Sequence, residues 1–379
     1  MEYNEEKIID KKKFERFNQK NDIFNRSLWD ESIKNNKTVK FYQDYIKPPE
    51  NNKRPEGFNH KDYAIRNAGW FMSDYFSDSK RNKGRSEGFT NTFSVQKQGT
   101  FTKYKIESTT ELTKEIKVVG KKLGADLIGI TKFNPKWIYS YKYNRSENKT
   151  SENTIDSSLK NVIVIANQMD KELIDTAPSA LSGTATGLGY SNDLSSALSL
   201  SQYIINLGYQ AVASQNDTAL SIPLAIEAGL GEYARNGLLI TKEFGPRVRI
   251  SKIFTDLPLE HDKPISFGVK NYCSICQRCA NECPPRAISF EDPSTKQINV
   301  SNIKGIKKWS VNAEKCFKFW ASQSSDCSIC IRVCPYNKDF DKLTHKIGIK
   351  IANTPLRKIL IYFDKFFGKR KQPQLWWQK

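Results

Sequence analysis

Over residues 1–105 hydrophobic positions are sparse and irregular, apart from one aromatic block, "AIRNAGWFMSDYF" (64–76), which reads as a buried helix. The pattern then sharpens. "TTELTKEIKVVGKKLGA" (109–125) places Ile116, Val119 and Leu123 on one face of a capped helix, and "DLIGIT" follows as a strand. Residues 143–157, "YNRSENKTSENTIDS", are polar throughout and read as a loop or hydrophilic insertion. "NVIVIA" (161–166) is a buried strand. After the small-residue segment "SALSGTATGLGYSN" comes a helix, "DLSSALSLSQYIINLG", ending at Gly208. "AVAS", "LLIT" and "RVRISKIFTD" read as further strands. "SIPLAIEAGL" reads as a helix with Ser221 as its cap and Pro223 in its first turn. This mixture from 110 to 256 predicts an α+β or α/β sandwich.

Composition adds less than pattern does. The chain has 379 residues, 27% of them charged, and a net charge of +19, with a mean hydropathy of −0.61. It contains no apolar run of membrane-spanning length. The first twenty residues lack both a signal-peptide core and paired arginines, so the expected location is cytoplasmic; a removed leader would make it exported and membrane-associated. Residues 342–379 carry ten Lys or Arg against Asp364 alone, interleaved with Phe363, Phe366, Phe367, Trp376 and Trp377. Their apolar spacing, "IANTPLRKILIYFDKFF", suits an amphipathic helix packed back on the domain, with peripheral membrane contact as the alternative. Neither a G-x-G-x-x-G fingerprint nor a Walker A loop occurs at a strand–helix turn, so no nucleotide-bound hydride carrier is indicated.

All eight cysteines fall between 273 and 334. The first run is Cys273-x2-Cys276-x2-Cys279-x3-Cys283-Pro284, the ligand spacing of bacterial ferredoxins, in which the fourth cysteine serves the other cluster. The second, Cys316-x10-Cys327-x2-Cys330-x3-Cys334-Pro335, is the same unit with its first interval stretched. Crossed ligation then assigns Cys273, Cys276, Cys279 and Cys334 to one [4Fe–4S] cluster. Cys283, Cys316, Cys327 and Cys330 go to the other. Thiolates suit this because sulfur is a soft donor to iron. Two zinc sites are the competing reading of C-x2-C pairs. Upstream, the Gly, Ala, Ser and Thr of "GTATGLGYS" serve either close approach to a large flat ligand or tight packing of elements.

Long stretches carry a more specific signal. "ALSGTATGLGYSND", the run from "GYQAVASQNDTALSIPLAIEAGL" through "GPRVRISKIFTDLPLEHDKPISFGV", and both cysteine arrays resemble the corrinoid-dependent reductive dehalogenases. The likeness extends to "FERFNQKNDIFNRSLWD", "DYAIRNAGWF" and "KIGIKIANTPL". It implies an α+β fold with a nitroreductase-like corrinoid-binding core (109–265, with the 143–157 insertion) and a ferredoxin-like two-[4Fe–4S] module (266–340). An N-terminal unit (1–108) covers the core, and a basic C-terminal segment (341–379) packs back on it. The implied activity replaces a carbon–halogen bond of an organohalide by carbon–hydrogen.

By motif, Tyr190 matches the family's proton-donating tyrosine, Arg249 the arginine beside it, and Asn216 the asparagine at the halogen end. A free phenol holds its proton to about pH 10, and a nearby guanidinium stabilises the conjugate base. Thr186, Gly187, Gly189, Trp70 and Trp320 are the expected cofactor-pocket wall. The histidine-on corrinoid signature D-x-H-x-x-G is not met by His60, His261 or His345, since Leu343 stands where Asp is needed. The corrinoid is therefore expected base-off, without a protein axial ligand. Electrons must come from an external low-potential donor, and an acidic ferredoxin or flavodoxin suits the positive charge. A homodimer is left open and nucleic acid is not an expected partner. Two other readings compete: an epoxyqueuosine reductase-like enzyme acting on tRNA, and a non-catalytic electron-transfer protein.

Overall fold

The structure is a computed structural model describing residues 4–44, 56–82, 102–145, 147–338 and 343–364. Among these residues, four helices precede the core: α1 (Glu5–Ile8), α2 (Ile23–Trp29), α3 (Asn36–Asp44) and α4 (His60–Asn82). The N-terminal segment is tied down by backbone contacts rather than by a core of its own. Arg16 donates from Nε to the Ile138 carbonyl (3.1 Å) and from Nη2 to that of Tyr139 (2.8 Å). The aromatic block of α4 is helical as expected but only half-buried, because Phe71, Met72 and Tyr75 face outward.

Helix α5 (Thr109–Lys122) begins at Ser108, whose hydroxyl accepts from the Glu111 amide, and buries Leu112 and Ile116. It leads into the central sheet, built from β1 (Leu127–Lys132), β4 (Asn161–Gln168), β5 (Ala211–Ser214) and β8 (Val248–Thr255) in the order β1-β4-β8-β5. Every pairing is antiparallel. Both faces of β4 are covered, and Val162 to Ala166 are fully inaccessible. Burying such aliphatic side chains is worth about 1.5–3 kcal/mol each. One face packs on α5 and α7 (Ala180–Asn206); the other meets α8 (Ser221–Glu227). Gly129 permits that second approach, since a Cβ there would lie 2.1 Å from the Ala228 carbonyl oxygen.

Three expectations change. The polar stretch 143–157 contains a hairpin, β2 (Tyr141–Asn144) with β3 (Lys149–Glu152), its ladder supplied by backbone groups that composition does not report. The helix expected after the small-residue segment begins with it: that segment forms the first half of the 27-residue α7, capped by Ser179. Glycine costs about 1 kcal/mol in an exposed helix, but here nearly every position is buried against α4. At Gly187 a Cβ would sit 2.5 Å from the Trp70 ring. Ser221 does not cap α8, since no side-chain bond closes that end; its hydroxyl is engaged in the site described below.

A short helix, α6 (Lys171–Asp175), precedes α7, and the two-residue strands β6 (Glu232–Tyr233) and β7 (Leu239–Ile240) precede β8. The cysteine module follows with α9 (Val269–Ile275), α10 (Arg278–Asn281), α11 (Ala313–Gln323) and α12 (Ile329–Arg332). A buried pair, Arg66 Nε to Asp326 Oδ1 at 3.5 Å, joins α4 to the residue before Cys327. The expected single C-terminal helix is two, α13 (Leu343–Ala352) and α14 (Arg357–Asp364), interrupted around Pro355. Ile349, Ala352, Leu360 and Ile361 pack with Phe267, Val269 and Tyr272 of the module and Ile240 of the core. Phe366, Phe367, Trp376 and Trp377 lie outside the described residues. Among the described residues no helix is long and apolar enough to cross a membrane.

Candidate functional site

The short helices of the module turn the spacing of its cysteines into two groups. Cys273 sits on α9, Cys279 on α10, Cys316 on α11 and Cys330 on α12. None of the eight is in a disulfide. The Cys334 thiol is pushed well up by burial and then by the neighbouring Cys273, Cys279 and Cys276. Cys330 is raised by burial and by Cys327, Cys316, Cys279 and Cys283. Cys316 and Cys327 are each pushed up to about 12 by burial, with Cys283 adding to both. Cys334 thus lies beside Cys273, Cys276 and Cys279, and Cys283 beside Cys316, Cys327 and Cys330, with Cys279 also facing Cys330 between the two sets.

Such dry surroundings hold thiols protonated unless a cation compensates the thiolates, which suits iron–sulfur cores. The Ala287 amide donates to Cys283 Sγ at 3.3 Å, a bond of the kind that tunes cluster potential. No three His, Cys, Asp or Glu among the described residues converge on a single-ion position. A cubane spreads its ligands around a larger body than one ion.

Arg235 and Asn236, in the turn between β6 and β7, escape the sequence reading. Arg235 is buried, donates from Nε to the Cys273 carbonyl (3.0 Å) and from Nη1 to that of Ser289 (2.8 Å), and stacks over Trp309 at 5.1 Å. Asn236 Nδ2 reaches the Cys330 carbonyl at 3.4 Å. One turn of the core therefore holds both cysteine groups. Charge next to a turn signal in "YARNG" was the available clue.

The second centre lies where α7, β8 and the loop after β5 meet. Asn216 Nδ2 donates to Tyr190 Oη at 2.7 Å. The Arg249 guanidinium lies over the Tyr190 ring, 4.9 Å from its centroid. Trp70 covers the ring from α4, with centroids 5.1 Å apart, and Arg249 Nη2 reaches Thr186 Oγ1 at 3.4 Å. Five candidate residues from four segments thus share one contact network. Gly187 and Gly189 use their missing side chains against protein: a Cβ at Gly189 would meet Arg249 Cγ at 2.8 Å, as one at Gly187 would meet Trp70. Trp320, on α11, rests its ring on Phe24 (5.7 Å) and Phe41 (6.5 Å). Of the histidines, His261 Nε2 lies 2.7 Å from Asn161 Oδ1, His60 opens α4, and His345 lies on α13.

The Tyr190–Asn216 edge is open, since Asn216 is exposed and Tyr190 half-buried. Leu188, Phe71, Met72 and Tyr75 add exposed apolar surface on the α4–α7 pair. Arg249 Nε and Trp320 Nε1 are buried donors without a hydrogen-bond partner. An open polar edge, apolar surface and an idle donor fit a flat macrocycle fringed with amide acceptors. Two clefts of about 600 and 290 Å3 lie elsewhere, one along Asn35, Thr38 and Lys318, the other along Arg16, Ser140 and Asn302.

Further residues missed from the sequence stand behind this edge. Tyr139 donates to the Asn216 carbonyl (3.0 Å), and its phenol is pushed up by burial. Lys252 and Asp193 are fully inaccessible. Lys252 had a signal: it interrupts the apolar face that Val248, Ile250 and Phe254 otherwise give β8.

Residues 272–337 match the family model of the 4Fe-4S double cluster binding domain, which defines the module's class. Over 315 residues the chain is 36% identical to a tetrachloroethene reductive dehalogenase of Desulfitobacterium hafniense, covering 73% of this chain and 56% of the relative. An epoxyqueuosine reductase of Lactococcus garvieae matches at 31% over 154 residues, 40% of this chain and 42% of that protein. In fold, the catabolic reductive dehalogenase NpRdhA superposes with a TM-score of 0.72 at 22% identity, covering 96% of this chain and 48% of that one. The chain is a homologue of the reductive dehalogenases and spans about half the length of the relatives it matches.

Proposed function

We propose that this chain catalyses reductive dehalogenation, R–X + 2e⁻ + H⁺ → R–H + X⁻, on an organohalide. The observation that carries the reading is the Asn216–Tyr190–Arg249 contact set, built on a chain homologous to reductive dehalogenases. Cys273, Cys276, Cys279 and Cys334 would hold one [4Fe–4S] cluster; Cys283, Cys316, Cys327 and Cys330 would hold the other. A base-off corrinoid on the Tyr190 side would supply the two-electron reducing power that breaking the carbon–halogen bond needs. The remaining work belongs to the chain. Tyr190 Oη holds the proton destined for carbon. Asn216 Nδ2 steadies the oxygen that loses it, and the Arg249 charge over the ring favours the phenolate left behind. Thr186 and Trp70 fix Arg249 and the phenol ring in place. An acidic, low-potential carrier outside this chain supplies single electrons, drawn by the +19 charge.

The test is anoxic reconstitution of the full chain with clusters and a corrinoid, followed by a screen for halide release. The reading expects cobalt alongside about eight iron atoms per chain and stoichiometric halide. Iron and sulfide without cobalt uptake would leave an electron-transfer protein. Salt-sensitive tRNA binding with no halide from any organohalide would favour the epoxyqueuosine reductase alternative.

A further inference from the structure

Lys252 lies at the centre of β8, wholly inaccessible, and makes no ion pair within hydrogen-bond distance among the described residues. Its ammonium is spent on the loop that carries Asn216. Nζ donates to the Gln215 carbonyl, to Ser221 Oγ at 2.8 Å and to the Ala219 carbonyl at 3.5 Å. The same loop is tightened by Asp217 Oδ1, which accepts from Ser214 Oγ and the Gln215 amide, both at 2.9 Å. It is tied to α7 by Gln215 Nε2, which donates to the Tyr190 carbonyl at 2.8 Å.

Direction follows from the donor inventory. An ammonium has three N–H groups and no acceptor. Nζ faces two carbonyls, which can only accept, and one hydroxyl, so the ammonium gives one N–H to each; burial lowers Lys252 to about 8. Ser221 Oγ must therefore accept from Lys252, and its own proton goes to its other neighbour, Asn216 Oδ1, at 3.3 Å. With Oδ1 committed to Ser221, the amide turns Nδ2 toward Tyr190 Oη. An Asn amide can otherwise face either way, and only its partners decide. Facing a donor, the tyrosine O–H cannot point at Asn216 and is turned to the open edge.

We propose that Lys252 is a positioning residue that sets the hydrogen-bond polarity of the Tyr190 site, acting through Ser221 and Asn216. The inference rests on the dehalogenase reading for what the Tyr190 proton is used for, but the polarity itself does not. It also explains why Ser221 leaves the cap of α8 unmade: its hydroxyl is the middle link.

The test compares wild type, Ser221→Ala, Ser221→Thr and Lys252→Met as cluster-loaded, corrinoid-reconstituted full chains. Ser221→Ala is expected to lower kcat for halide release about 10–30-fold while KM moves less than about 3-fold. Ser221→Thr, which keeps a hydroxyl, recovers most of that loss, and Lys252→Met loses at least as much as Ser221→Ala. The second readout needs no turnover: with asparagine selectively labelled with 15N, exchange of the Asn216 side-chain amide quickens about tenfold or more in Ser221→Ala and Lys252→Met.

Unchanged kcat and unchanged exchange in Ser221→Ala overturn the proposal. So does a fall in kcat with no change at the amide, because the effect then bypasses Asn216. If Lys252→Met fails to fold, the Ser221 pair decides alone. A wild type that releases no halide while its Asn216 amide responds as stated supports the polarity chain and overturns the dehalogenase reading instead.

Discussion

Cys273, Cys276 and Cys279 lie within seven residues, whereas Tyr190, Asn216 and Arg249 are separated by 26 and 33. The cysteine module is a local device: tight turns and short helices bring three sulfurs close along the chain, and in the proposed ligation only Cys334 and Cys283 cross between the halves. The Tyr190 site has no local version. Its phenol comes from the middle of a long helix, its amide from a loop and its guanidinium from a central strand, and none meets another until the sheet is covered. The module's spacing is set along the chain; the Tyr190 site is made only by its surroundings.

The contrast is sharpest in chemistry. Tyr190→Phe should lower halide release about 10³-fold or more while iron and cobalt content stay at wild-type levels, measured by metal analysis on anoxic protein. Retained turnover would take Tyr190 out of the mechanism. Next comes the crossing itself. Cys334→Ser should cut iron from about eight to about four per chain and leave Cys273, Cys276 and Cys279 open to alkylation. Labelling of Cys316, Cys327 and Cys330 instead would mean the arrays are not crossed.

Two smaller effects probe the framework around Tyr190. Gly187→Ala pushes a methyl into the Trp70 ring and backbone, 2.5 to 2.8 Å away, and should cost about 1–3 kcal/mol in denaturant unfolding. A null result would show that α4 can retreat. The smallest concerns Asp193, one turn after Tyr190, whose carboxyl oxygens are buried without partners. Burial raises it well above an ordinary carboxylate, with Arg249 and Lys252 partly opposing. The folded chain therefore holds that proton to a higher pH than the unfolded chain does. The carboxyl's contribution is whole below about pH 4 and drains away as pH climbs toward the raised value. Asp193→Asn cannot titrate. Its melting temperature should match wild type near pH 4 and exceed it by about 2–4 °C at pH 7.

Much of the fold was legible. The strands β1, β4, β5 and β8 announce themselves as short aliphatic runs, and α5 by its cap and spacing, because burial on one or two faces imposes a period on neighbouring residues. Misreadings arose where a partner outside the segment overrode local preference. The helix was read as starting at Asp193, yet it begins at Ala180, where small residues let α4 and β8 come close. Ser221 has the composition of a cap, but Lys252, thirty-one residues later, takes its oxygen.

By itself the sequence determined the cysteine spacing, the strands of the central sheet and the residue types available for acid chemistry, since these depend on neighbours along the chain. Which way the Asn216 amide faces, that a lysine stands behind it, and that glycines serve helix packing were decided only in three dimensions. Hydrogen-bond direction and close approach are properties of pairs, and their partners here lie tens of residues apart.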